Sequence, residues 1–299
     1  MANPQAQRAK ARAAAFSVGS NTTLVAAKGI VGLATGSISI LSEALHSAMD
    51  LLAAVMAYVA VRTSGRPPDE QHRYGHGKFE SLSGTVEGLL VIGAAVLIAW
   101  KAVPALLHGH ELEATPLAMG AMGGSALVNI VVSRHLYSVA RRTHSLALEA
   151  DALHLSTDVY SCLVVLAGLV VVRVTGLTLL DPLMALGVAG LIAWEAGRLI
   201  RRGLTDLVDA SLPREERMRI IGILNEHRSL GLGFHELRCR PAGPYRHVDL
   251  HLELPRTMTV ERAHELCDHL EQEIAEAMPG SRVLIHVEPS EQESESHGA

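Results

Sequence analysis

Cysteine is scarce in this chain, and positive charge is not in excess. Cys162, Cys239 and Cys267 are the three cysteines in 299 residues. They form no CxxC pair and no even disulfide framework, so a reducing compartment is the plain reading for any soluble part. Lys and Arg together number 26 against 31 Asp and Glu, a net charge of -5. The basic residues gather at the edges of apolar runs rather than in one stripe, which argues against a nucleic-acid partner. Residues 1–12 carry Arg8, Lys10 and Arg12 but no small-residue cleavage site behind a short apolar core. They read as a basic cytoplasmic flank, not as a removable signal peptide. Three connections, near Gly36, over 108–113 and over 175–181, have no Lys or Arg at all.

What the chain has instead is apolar length and histidine. Hydrophobic residues make up 48% of it and the mean hydropathy is +0.24, too apolar for an ordinary soluble protein of this size. Six segments reach the roughly 20 apolar residues that a bilayer crossing needs: 13–34, 38–61, 79–103, 116–137, 146–174 and 182–200. The connections that do carry positive charge hold Arg62, Arg66, Arg73 and Lys78, then Arg141 and Arg142, then Arg198, Arg201 and Arg202. By the positive-inside rule these lie in the cytoplasm, and so do both termini. After Pro213 the texture changes to a charged helix, two strands of period two, an amphipathic helix over 259–278 and a last strand over 281–287. The expected fold is therefore an α-helical membrane protein of six transmembrane helices with a C-terminal cytoplasmic α+β domain of αββαβ order. Its expected limits are 1–12 for the flank, 13–208 for the membrane domain, 209–289 for the cytoplasmic domain and 290–299 for a disordered tail.

Histidine, the commonest protein metal ligand, occurs 16 times. His46 and Asp50 stand four residues apart in an apolar run, and His154 and Asp158 repeat the spacing. On helices each pair shares a face. Two such faces packed together supply two imidazoles and two carboxylates, enough for one tetrahedral zinc shell. The bland alternative makes Asp50 and Asp158 helix-end residues and the histidines ordinary interhelical hydrogen-bond partners. An intramembrane carboxylate costs about 2.5–3.5 kcal/mol to insert, however, and is a functional hypothesis by default. Two carboxylates cancel one divalent charge; without the ion they must take up protons, so metal and protons compete for the site, which is the requirement for antiport.

Two weaker groups follow. Asp69, His72 and His76 lie in a polar connection with Gly75 and Gly77, a set able to bind metal and also common by chance. His235, His251, His286 and Glu288 fall on the strands of the soluble part, where His286 and Glu288, two apart, share a face. His264 sits three residues from Cys267 and reads as a surface residue on spacing alone. Cys162, four after Asp158, is either a soft accessory ligand or a buried thiol packed as an apolar group.

These residues carry a resemblance. Gly36-Ser37-Ile38-Ser39-Ile40-Leu41, the His46/Asp50 pair, Tyr74-Gly75-His76-Gly77-Lys78-Phe79-Glu80-Ser81, the His154/Asp158 pair and Asp209-Ala210-Ser211-Leu212-Pro213 resemble the cation diffusion facilitator family, near its bacterial zinc and iron efflux pumps. His235-Glu236-Leu237-Arg238 and Ile285-His286-Val287-Glu288-Pro289 extend the likeness into the soluble part. The resemblance implies a homodimeric, proton-coupled zinc efflux antiporter of the cytoplasmic membrane, not an enzyme, with a metallochaperone-like cytoplasmic domain. It implies a transport site of His46, Asp50, His154 and Asp158. It implies a loop site of Asp69, His72 and His76, and a cytoplasmic zinc site of His235, His251, His286 and Glu288, with His264 bridging a second ion. Lys78 and Asp209 match a charge pair at the family's dimer interface. Zinc is expected both as transported substrate and as a structural or regulatory ion. Alternatives are a broader divalent pump for cadmium, iron, cobalt or manganese, a non-transporting membrane metal sensor, and a membrane metalloenzyme. The last needs an open coordination position and a general base, and the sequence offers neither.

Overall fold

The computed structural model describes residues 4–36, 38–108, 116–175, 179–227 and 233–290. Residues 291–299 of the tail expected over 290–299 lie outside them, as do 109–113 of the connection expected over 108–113 and 176–178 of that over 175–181. The chain divides into two compact units, Pro4–Leu204 and the part from Thr205 onward.

The first unit is built from α1 (Pro4–Thr35), α2 (Ile38–Ser64), α3 (Lys78–His108), α4 (Pro116–Thr143), α5 (Leu146–Thr175) and α6 (Leu180–Leu207, of which it takes all but the last turn). Its interior mixes many small residues with larger ones such as Leu136, Leu148 and Leu199, and large apolar side chains also face outward. Ala13 and Ala14 of α1, Ala53, Ala54, Ala57 and Ala60 of α2, and Ala147, Ala150 and Ala152 of α5 are buried, while Leu45, Leu52, Leu97, Trp100, Leu127 and Trp194 face outward. Small residues let helix backbones approach where there is no hydrophobic drive between helices, and large apolar side chains suit a lipid exterior. Gly203 shows the tightest such approach: a methyl group there meets Thr85 and Ser81 of α3 and Leu146 of α5. Among the described residues three helices, over Ala44–Ser64, Lys78–Leu107 and Pro182–Leu207, are long and apolar enough to cross a membrane. The other three long helices carry more polar side chains: Lys10, Asn21 and Lys28 in α1, Asn129 and Arg134 in α4, and Glu149, Asp151 and Asp158 in α5.

Residues 4–12, expected as a flank, form the first turns of α1. The reason is a partner that the sequence does not advertise. Lys10 Nζ lies 2.5 Å from Glu80 Oε1 at the start of α3, with side chains 3% and 0% exposed. The Ser64 hydroxyl at the end of α2 donates to the same oxygen at 2.6 Å, and the Ser145 hydroxyl just before α5 donates to Glu80 Oε2. A buried charge is tolerable only when paired and hydrogen-bonded in this way.

The second unit has the order α7 (Arg214–Glu226), β1 (Gly233–Ala242), β2 (Tyr245–Leu254), α8 (Val260–Ala277) and β3 (Ser281–Pro289). Glu215 and Glu216 in the first turn of α7 complement its dipole. Thr259 caps α8 by accepting from the Arg262 backbone N–H. The sheet order is β1-β2-β3, antiparallel between β1 and β2 and parallel between β2 and β3, with α8 as the crossover. Gly243, at φ 60°, and Pro244 make a two-residue turn of the kind that keeps hairpin strands paired to their ends, so β1 and β2 stay paired out to Ala242 and Tyr245. Val248, Leu250, Leu252 and Leu254 alternate on β2 and pack with Ile220 and Leu224 of α7 and Leu270 and Ile274 of α8. Each such buried side chain contributes about 1.5–3 kcal/mol. The odd-numbered face of β2 is left for polar side chains.

Candidate metal centre

The two helical His/Asp pairs meet. Helical spacing brings His46 and Asp50 to one side of α2 and His154 and Asp158 to one side of α5, and the pairs engage crosswise. His154 Nε2 lies 3.1 Å from Asp50 Oδ1, and His46 Nε2 lies 3.4 Å from Asp158 Oδ1. A tetrahedron with zinc-ligand arms of about 2.0–2.1 Å has an edge of about 3.3–3.4 Å. His46, Asp50 and Asp158 bring ligand atoms within 4.8 Å of one another, and His154 joins them through Asp50. The Asp50 side chain is 5% exposed and that of His154 14%, whereas His46 at 57% opens onto a cavity of about 340 Å³. Lys28, Lys101, Asn129, Thr157 and Cys162 also line this cavity. The buried Cys162 therefore stands beside the group. Lys28, within an apolar span, donates to Ser47 Oγ at 2.8 Å, and Glu195 pairs with Arg198 at 3.1 Å.

In the connection between α2 and α3, Asp69 organises the loop. Its Oδ1 accepts from the backbone N–H groups of Gln71 at 3.0 Å and His72 at 2.7 Å, and His76 Nε2 approaches its Oδ2 at 3.2 Å. The His72 backbone hydrogen bond first, and the two imidazoles after it, hold the Asp69 carboxyl below its ordinary range. The rings of His72 and His76 stand 4.5 Å apart, and Gly75, at φ 90°, makes the bend that turns His76 back. His76 is buried and its Nδ1 has no hydrogen-bond partner among the described residues. Two imidazoles and one carboxylate in this arrangement fit a divalent transition ion.

The sheet carries the third group. His235 pairs with His251 across β1 and β2, and His251 with His286 across β2 and β3. Glu288 ties them together: His251 Nδ1 lies 2.9 Å from Oε1, His235 Nε2 3.1 Å from Oε2, and His286 Nε2 3.6 Å from Oε1. Desolvation works against the Glu288 carboxylate, but the hydrogen bonds and charges of His251 and His235 outweigh it and hold the pKa below the usual range. A β-bulge makes this possible. The register slips between His235 and Arg238, with Glu236 at φ 51°. In a regular strand His235 and Cys239 share a face; here His235 opposes His251 on the polar side while Cys239 opposes Val248 and joins the core. His264 does not join this group. It is 75% exposed on α8, with Asp268 at 3.7 Å. Asp209 accepts from Arg240 Nη1 at 2.8 Å within the second unit, whereas Lys78 belongs to the first.

Several buried polar residues escaped sequence reasoning. Asn129 of α4 reaches Asp158 Oδ2 at 3.5 Å. Asp151, one turn before His154 and within electrostatic reach of it and of Asp50, is fully buried, as is Glu87 of α3. The available signal was their charge inside or beside an apolar run.

Residues 14–208 match the family described as "Cation efflux transmembrane domain", and residues 212–290 match "Cation efflux protein, cytoplasmic domain". The chain belongs to the cation efflux family. Among relatives of this cation efflux chain, the "Uncharacterized transporter sll1263" of Synechocystis sp. is 36% identical over 86% of this chain and 83% of its own length. The "Cation-efflux pump FieF" of Klebsiella pneumoniae is 33% identical, covering 86% and 85%, and that of Pectobacterium carotovorum is 31% identical, covering 85% and 84%. This is the cation diffusion facilitator family that the motifs resemble. The cation efflux chain is a membrane transporter, not an enzyme, with a helical membrane domain followed by a cytoplasmic domain that holds the small sheet.

Proposed function

We propose that this cation efflux protein is a proton-coupled zinc antiporter of the cytoplasmic membrane, working by alternating access as a homodimer. In this reading all six long helices span the membrane, both termini are cytoplasmic, and the membrane domain extends over residues 13–208. The observation that carries the reading is the crosswise pairing of His46 with Asp158 and of Asp50 with His154 at 3.4 and 3.1 Å. Two imidazoles and two carboxylates match zinc in geometry and in charge, because the carboxylates neutralise a divalent ion in a low-dielectric interior. Once zinc has left, the same carboxylates and imidazoles take up protons, so a proton gradient drives the exchange with up to about two protons per ion.

The loop group of Asp69, His72 and His76 and the sheet group of His235, His251, His286 and Glu288 are assigned to structural or regulatory zinc. His264 serves there only if a partner subunit completes its ligand set. Binding at the sheet group tightens the cytoplasmic dimer, and Lys78 and Asp209 are assigned to a charge pair of the dimer interface. The test is zinc uptake into sealed vesicles reconstituted with the protein under an imposed pH gradient. Uptake that follows the gradient and disappears with Asp50→Ala and Asp158→Ala is expected. Uptake indifferent to the gradient defeats proton coupling, and full-speed uptake by the alanine variants defeats the site.

A further inference from the structure

Behind the sheet, on the helical side of the cytoplasmic unit, three metal-type side chains meet that belong to none of the groups above. His227 caps the C-terminus of α7, and His269 and Glu273 stand one turn apart on α8. Their ligand atoms all lie within 4.8 Å of one another. The imidazole rings are 5.4 Å apart and inclined at 71°, edge to face rather than stacked. Both Nε2 atoms face Glu273 Oε2, His227 at 3.5 Å and His269 at 3.9 Å.

Two details separate this cluster from a chance surface pair. His227 Nδ1 lies 3.1 Å from the carbonyl oxygen of Ile223. A carbonyl only accepts, so Nδ1 carries the proton and the lone pair of Nε2 faces the cluster, which is how a ligating histidine is held by its neighbours. Glu273 Oε2 is itself buried and has no hydrogen-bond partner among the described residues. At 3.5 and 3.9 Å the imidazoles are too far to satisfy it as donors, since such bonds close to about 2.7–3.2 Å. A buried carboxylate oxygen facing two imidazole nitrogens at these separations is satisfied by a cation held between them. By contrast His264 and Asp268, on the same helix at 3.7 Å, offer only two ligands on an exposed face.

We propose that His227, His269 and Glu273 form a further binding site for a divalent first-row transition ion. A set of two imidazoles and one carboxylate suits zinc, with the remaining position open to water. The sheet-face group lies on the opposite side of β2 from the helices, so the two sites are separate. All three ligands come from one chain, and the bound ion staples the end of α7 to α8.

The test uses the full-length protein in detergent, with Zn²⁺ alone as probe and bound metal counted after equilibrium dialysis. His269→Gln and Glu273→Gln are each expected to bind about one zinc ion fewer per chain than the parent. Glu276→Gln, on the same helix but outside the cluster, is expected to bind as many as the parent. In Co²⁺ titrations both cluster variants are expected to lose the same component of the visible absorption. His269 is 64% exposed, so its replacement leaves the core intact. Equal zinc counts in parent, His269→Gln and Glu273→Gln overturn the proposal, as does an equal loss in Glu276→Gln.

Discussion

The helical unit and the cytoplasmic unit both gather histidines and carboxylates, but they do so under opposite conditions. Between α2 and α5 Asp50 is sunk in the interior at 5% exposure and Asp158 is half-buried at 19%, and each is matched by an imidazole from the facing helix. On the sheet the imidazoles of His235 and His286 are 42% and 65% exposed, and one carboxylate, Glu288, serves three histidines. In the first place burial demands a matched set, because an unpaired charge there is costly. In the second water screens any mismatch, so the set need not be complete within one chain. In the function proposed above, the first arrangement serves a passage that an ion enters and leaves, and the second a face on which an ion stays.

The contrast breaks most readily at the buried carboxylates. Asp50→Ala is expected to lower zinc uptake into vesicles by more than about 100-fold, beyond the loss typical of removing a ligand's supporting residue. A milder loss makes the two places more alike than described. Lys10→Met tests whether burial itself is the governing difference, away from any metal. Leaving Glu80 unpaired is expected to destabilise the helical unit by about 3–5 kcal/mol, read as a lower melting temperature in detergent. On the sheet, His235→Ala is expected to weaken zinc binding by about 10–100-fold while vesicle uptake falls far less. Equal losses in both assays join the two places into one mechanism. His46→Asp sharpens the chemical side: with carboxylate in place of imidazole, the zinc-to-cadmium transport ratio is expected to change by up to about tenfold.

The smallest effect concerns acid. Burial first, then the charges of Arg240 and Arg282, push the His247 pKa below its ordinary value. The unfolded chain therefore takes up its proton first as pH falls through about 6.5, so this residue costs the folded domain stability below that pH and nothing well above it. His247→Gln is expected to flatten the acid side of the melting profile, and an unchanged slope removes His247 from the account.

The main lines of this architecture were legible in the chain. The repeated four-residue spacing of His46/Asp50 and His154/Asp158 is a periodic signal, and helices obey it. The alternation along β2 is another, and it sets His251 and Leu252 on opposite faces as expected. What stayed hidden depends on long-range meetings or on local irregularity. Lys10 reads as one more basic residue in a flank, and only the fold brings Glu80 to it. His227 and His269 sit on different helices, so no spacing links them. The bulge after His235 breaks the period of two, and no turn residue at Glu236 announces it.

Glu80 has a mechanical consequence. Lys10 of α1, Ser64 of α2 and Ser145 at the head of α5 all grip this one carboxylate at the root of α3. Four segments pinned by a common rivet cannot slide past one another there without tearing it out.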